Sequence, residues 1–121
     1  IVPKTVTTIG SLAFTRRSKL KKVQLPDGLD RIGRDAFSDC DALEEIVIPA
    51  SVMTIDPYAF ASCDRLRKVT FLGTPKRLAR TAFSDCDNLL SVIVPDGEQK
   101  AFRKLLHVTE ESDMLVLGNE Q

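Results

Sequence analysis

Apolar residues return to the same phase of this chain every 23 positions. Phenylalanines stand at Phe14, Phe37, Phe60 and Phe83, each preceded by an alanine, at Ala13, Ala36, Ala59 and Ala82. Leucines keep the interval at Leu20, Leu43, Leu66 and Leu89, and branched residues keep it at Ile9, Ile32, Ile55 and Leu78. Prolines follow at Pro3, Pro26, Pro49 and Pro95, with Leu72 in the one remaining place. The stretch Ala36-Phe37-Ser38-Asp39-Cys40-Asp41 recurs letter for letter as Ala82-Phe83-Ser84-Asp85-Cys86-Asp87. Self-similarity at a fixed period of this length marks a solenoid of stacked units.

Inside one unit the hydrophobic period changes. Glu45-Ile46-Val47-Ile48-Pro49, like Lys22-Val23-Gln24-Leu25-Pro26, alternates apolar and polar residues and predicts a short β-strand in each unit. Proline has no N–H to give a ladder, so it ends the strand, and Asp27-Gly28 or Ala50-Ser51 then suits a turn. Leu29-Asp30-Arg31-Ile32-Gly33 follows, with two inward branched positions and a glycine free to take positive φ, before a short helical turn around Ala36-Phe37. One unit cannot bury its apolar side alone. Stacked at the ~4.8 Å strand spacing, like residues lie over like, and phenylalanine and leucine ladders share one continuous core.

The predicted architecture is an α/β solenoid with a parallel β-sheet on one face, short helical turns and a C-terminal capping helix. About four turns occupy residues 1–97 and a cap occupies 98–121. Ala101, Phe102, Leu105 and Leu106 space an apolar face along a helix over about 98–107, laid on the last turn. Because Ile1 falls in mid-unit and leaves a raw strand edge, upstream repeats or a partner are expected there, and self-association through the open N-terminal end is one way to cover it.

The unit Leu-x-x-Ile-x-Ile-Pro-x-Ser-Val-x-x-Ile-x-x-x-Ala-Phe-x-x-Cys, read from Leu43 through Cys63, resembles the BspA-type (Treponema-type) leucine-rich repeat. Proline follows the strand, and the asparagine of the commoner leucine-rich pattern is replaced by Gly28, Ser51, Thr74 or Gly97. Two departures stand out: Phe71-Leu72-Gly73-Thr74-Pro75 in the third turn, and Arg16-Arg17 in the first, where Arg17 is expected to reach solvent. The resemblance implies a non-catalytic, protein-binding module of a cell-surface or secreted bacterial protein, adhesin-like, whose partner is a protein such as a host extracellular matrix or surface protein. A cytoplasmic structural scaffold and a carbohydrate-binding accessory domain are the alternatives.

Seventeen basic residues balance seventeen acidic ones in 121, so no long-range field is available to hold nucleic acid against salt. With 43% apolar and 28% charged residues the chain is expected to fold, and its longest apolar runs are far short of the ~20 residues that span a bilayer. No membrane insertion is expected. The N-terminus carries no leader pattern from which to read a compartment.

Candidate chemistry is sparse. Cys40, Cys63 and Cys86 fall in one column, but no CxxC pair or fourth ligand accompanies them, so small buried fillers with free thiols are expected in place of a metal site. Asp41, Asp64 and Asp87 form a second column; turn and cap carboxylates are the simpler reading beside calcium ligands, since no metal-loop pattern surrounds them. His107, the single histidine, reads as the end of the cap helix. No nucleophile motif, phosphate-cradling loop or nucleotide fingerprint is present, and neither catalytic residue nor cofactor is assigned.

Side chains between the inward strand positions point outward. They form two columns, Lys22, Glu45, Lys68 and Ser91, and Gln24, Val47, Thr70 and Ile93, which constitute the candidate partner-binding face. Alternating charge in the first column, and in its neighbour Lys21, Glu44, Arg67 and Leu90, also serves cross-strand pairing alone. Val47 and Ile93 are apolar where water should reach and are the chosen contact residues. Elsewhere Arg31, Arg34, Arg77 and Arg80 gather on one edge, and Asp39, Asp41, Asp64, Asp85 and Asp87 on the other.

Overall fold

The structure, a computed structural model, describes residues 2–106 and the backbone of 115–118. The chain coils as the 23-residue period requires, and its coils contribute short strands to two parallel sheets. The smaller sheet joins the two-residue strands β1 (Thr8–Ile9), β2 (Arg31–Ile32), β4 (Thr54–Ile55) and β6 (Arg77–Leu78). The larger joins β3 (Glu45–Ile48), β5 (Lys68–Phe71), β7 (Ser91–Val94) and β8 (Leu115–Gly118), with helix α1 (Gln99–Leu106) between its last two strands. Every pairing among β1 to β7 is in the register of the repeat, as in Ile9↔Ile32↔Ile55↔Leu78 and Ile46↔Val69↔Val92, whereas β7 pairs with β8 at an offset of 24.

Four differences from the sequence pattern have local causes. First, Leu20–Leu25 carries the strand pattern of the first unit but forms no ladder with β3; one backbone bond, Glu44 N–H to Lys21 C=O at 3.3 Å, crosses between them. Second, the segment after the proline turn is itself a strand, so the solenoid has a second sheet. Third, Gly33 does not use its freedom to take positive φ: a Cβ there would sit 2.8 Å from the Ile9 carbonyl oxygen, so the glycine admits a close backbone approach. Apart from Gly97, the positive φ angles fall on Leu12, Asp35 and Tyr58 and on Arg16, Asp39, Ser62 and Asp85, each set in a repeat column. Fourth, the expected helical turn around Ala36–Phe37 is a pair of hydrogen-bonded turns between such residues. Ala36 N–H donates to Gly33 C=O and Ser38 N–H to Asp35 C=O, while Phe37 and Asp39 N–H donate to Ala59 and Ala61 C=O in the next coil.

The phenylalanine ladder forms as the spacing predicts. Phe14, Phe37, Phe60 and Phe83 stack with ring centroids 5.2, 5.1 and 5.2 Å apart and planes within 9°. Phe37 and Phe60 are fully buried, whereas Phe14 and Phe83, toward the two ends of the file, are partly exposed. Phe71 ties the ladder to the cap: it meets Phe83 edge-on at 6.4 Å and Phe102 of α1 at 4.8 Å. On α1 the buried side chains are Phe102 and Leu106, with Leu105 partly covered; Ala101, counted by its spacing on the apolar face, is exposed. His107 and the cap tail outside 115–118 lie outside the described residues.

Candidate functional site

Because the sheet is in register, the two outward columns are physical rows. Glu45, Lys68 and Ser91 are lateral neighbours on β3, β5 and β7, as are Val47, Thr70 and Ile93. Lys22 and Gln24 extend the rows toward the first coil; both are exposed, on the segment that does not ladder. Val47 is 49% exposed, while Lys68, Thr70, Ser91 and Ile93 are half-buried by their neighbours. The charge pairing runs diagonally: Glu45 meets Arg67 Nη2 at 2.9 Å, not the Lys68 directly beside it. Both partners face solvent, so the pair contributes only ~0–1 kcal/mol.

Two open grooves meet on this face. One, about 560 Å³, is lined by Lys22, Val23, Gln24, Leu25, Asp27, Val47, Pro49 and Leu72; the other, about 420 Å³, by Lys21, Lys22, Glu44, Glu45 and Arg67. Lys22 is common to both, so the two grooves adjoin along the seam between the first coil and β3. Sequence reasoning missed Leu72 as a surface residue. It is 50% exposed and stands in the proline column, where its N–H donates to Ile48 C=O at 3.0 Å, a bond no proline makes. The signal was its departure from Pro26, Pro49 and Pro95.

The other columns are structural in their contacts. Each thiol donates to the carbonyl of the phenylalanine in the coil before it: Cys40 to Phe14 at 3.2 Å, Cys63 to Phe37 at 3.2 Å, and Cys86 to Phe60 at 3.0 Å. All three cysteines are free. Burial pushes the Cys40 thiol up; the Cys63 thiol is pushed up by its contact with the Cys86 thiol and by burial, and that contact lowers Cys86. Asp41, Asp64 and Asp87 are exposed, and among the described residues no three metal-ligating side chains converge. Arg31 reaches Asp56 through Nε and Nη2, both at 2.9 Å, and Arg34 lies 5.3 Å over the Tyr58 ring, so the arginine edge is partly engaged internally. Arg17 is exposed, and no helix among the described residues is long and apolar enough to cross a membrane.

The BspA-type leucine-rich repeat model matches residues 1–107 in six copies. This chain belongs to that family. BspA-type repeats generally act as non-catalytic, protein-interacting modules. Among solved structures, it is similar to a leucine-rich cell surface protein of Faecalibacterium prausnitzii A2-165, at 20% identity and a TM-score of 0.64, covering 92% of this chain and 35% of that one. It is also similar to a leucine-rich repeat protein of Bacteroides ovatus ATCC 8483, at 29% identity and a TM-score of 0.53, covering 78% of this chain and 32% of that one. The pneumococcal vaccine antigen PcpA superposes with a TM-score of 0.52 at 18% identity, covering 98% of this chain and 40% of that one. The BspA-type chain thus spans roughly a third of the length of these relatives by structure. A comparison with curated proteins finds no match.

Proposed function

We propose that this BspA-type solenoid is the interaction module of a bacterial cell-surface or secreted protein, and that it binds a host matrix or surface protein through the outer face of β3, β5 and β7. The observation that carries the reading is Val47, half exposed on the first strand of the larger sheet, in one row with Thr70 and Ile93 and sharing a groove with the half-exposed Leu72, on a face otherwise made of polar side chains. A folded monomer gains nothing from leaving such side chains in water, and partly exposed apolar residues with a polar rim are what contact patches are made of. A likeness to proteins described as a cell surface protein and a vaccine antigen supports the location.

The test is solid-phase binding of the purified chain to fibronectin, fibrinogen, collagen and laminin, with a Val47→Ser/Ile93→Ser variant alongside. The variant is expected to lose binding about tenfold or more while its thermal midpoint moves by only a few degrees. Equal binding by both proteins, or unfolding of the variant with no separate effect on binding, would reject this face.

A further inference from the structure

The seam between the first coil and β3 differs from every later seam of the larger sheet. Between β3 and β5, and between β5 and β7, the strands pair residue by residue. Between Lys22–Leu25 and Glu45–Ile48 no backbone bond forms among the described residues; the one crossing, from Glu44 to Lys21, lies at the seam's start. The chain there holds its place through the Phe14–Phe37 stack, the β1–β2 pairing and the burial of Leu25, so the seam is kept in place without a ladder and its backbone groups stay unpaired across it. The grooves beside it are lined by Val47 of β3 and by Leu72 of the following coil, 49% and 50% exposed.

From Lys21 to Asp27 the adjoining grooves, taken together as one channel, match roughly six residues of extended chain, at ~3.3 Å each. The channel's ends differ in charge. At one, Lys21 and Lys22 are exposed beside Glu44 while Glu45 is paired with Arg67, which leaves a net positive end, and the exposed carboxylate of Asp27 stands at the other. We propose that this channel takes an extended peptide segment of a partner protein, with aliphatic side chains at its middle against Val47 and Leu72, a carboxylate over Lys21 and Lys22, and a cationic side chain at Asp27. This rests on the outer face being the binding face and names what lies in its deepest part. Branched side chains at alternate positions fit because an extended segment presents every second residue to the same wall.

The probe is an array of acetylated hexapeptides: Glu-Val-Thr-Val-Thr-Lys, its reversed sequence, the same core with Lys at both ends or Glu at both ends, and a Gly-Ser core between Glu and Lys. The chain is expected to bind one of the two opposite-charge peptides at least about tenfold better than either like-charge peptide or the Gly-Ser control. Val47→Thr and Leu72→Ser, both exposed and conservative in fold, should weaken that binding about tenfold, and Asp27→Lys should move the preference to the peptide with Glu at both ends. Binding unchanged by these substitutions, no switch with Asp27→Lys, or no peptide above the Gly-Ser control overturns the proposal. Should any of these occur while Val47→Ser/Ile93→Ser still abolishes matrix-protein binding, the outer face stands and only the channel's occupant falls.

Discussion

Gly10 and Gly33 are the same position in successive coils, yet a methyl group would meet different surroundings at each. At Gly33 it would lie 2.8 Å from the carbonyl carbon of Gly10, the Ile9 oxygen and the Ser11 nitrogen, all backbone atoms that cannot rotate away; at Gly10 nothing stands within 4 Å. Gly33→Ala is therefore expected to cost roughly 1–3 kcal/mol in urea unfolding, the usual penalty for overpacking, and Gly10→Ala close to none. A reversed order would mean the first two coils are not in this contact. The cysteine column makes a second residue-scale prediction. Burial raises the Cys40 thiol above its ordinary 9.0, so the folded chain holds that proton more tightly than the unfolded one. Stability from this group is complete below pH 9.0 and is lost as pH rises beyond it. The wild-type unfolding free energy should thus decline above that pH, with a shallower decline in Cys40→Ala; identical slopes would show that the thiol does not contribute.

Phe60 and Phe14 belong to one ladder but not to one environment, and this separates an internal rung from an end rung. Phe60 lies between Phe37 at 5.1 Å and Phe83 at 5.2 Å and is fully buried; Phe14 has one ring neighbour, Phe37, and is partly exposed. Phe60→Ala should cost about 3–5 kcal/mol and Phe14→Ala distinctly less, as measured by denaturant midpoint at constant slope. Elements of this kind were legible because Phe, Leu and Ile at a 23-residue interval leave few ways to bury them other than in files. Less was legible where backbone geometry, not side-chain pattern, decides. Two residues such as Arg31–Ile32 are too few to show an alternation, so the second sheet was hidden. Lys22–Leu25 shows the alternation but not the failure to ladder, which is why Lys22, Gln24, Glu45 and Val47 were named as a face while their channel went unseen. The pairing of Leu115–Gly118 with β7 joins segments separated by a helix, beyond the reach of a local pattern.

At the scale of the whole molecule the repeats form a one-dimensional array, since the pairings among β1 to β7 join neighbouring coils and the ring stacks repeat with almost the same geometry. In such an array stability is a sum of unit terms and nearest-neighbour terms, and a whole unit can be removed without destroying the rest. Deleting residues 41–63, one full period, joins Cys40 to Asp64 and sets Phe37 beneath Phe83 and Cys40 beneath Cys86. The new neighbours inherit matched contacts because residues 36–40 and 82–86 are identical, and Ile32 then meets Leu78 as Ile55 did. The shortened chain is expected to keep its circular dichroism spectrum, scaled to length, and to unfold cooperatively at a lower midpoint with a smaller denaturant slope, since less surface is exposed on unfolding. Deleting 11 residues from the same place, about half a period, puts outward residues into the inward columns and should leave no cooperative transition. A globule with one indivisible core would lose its fold in both cases, so the contrast between the two deletions decides whether the repeat is the unit of stability as well as of sequence.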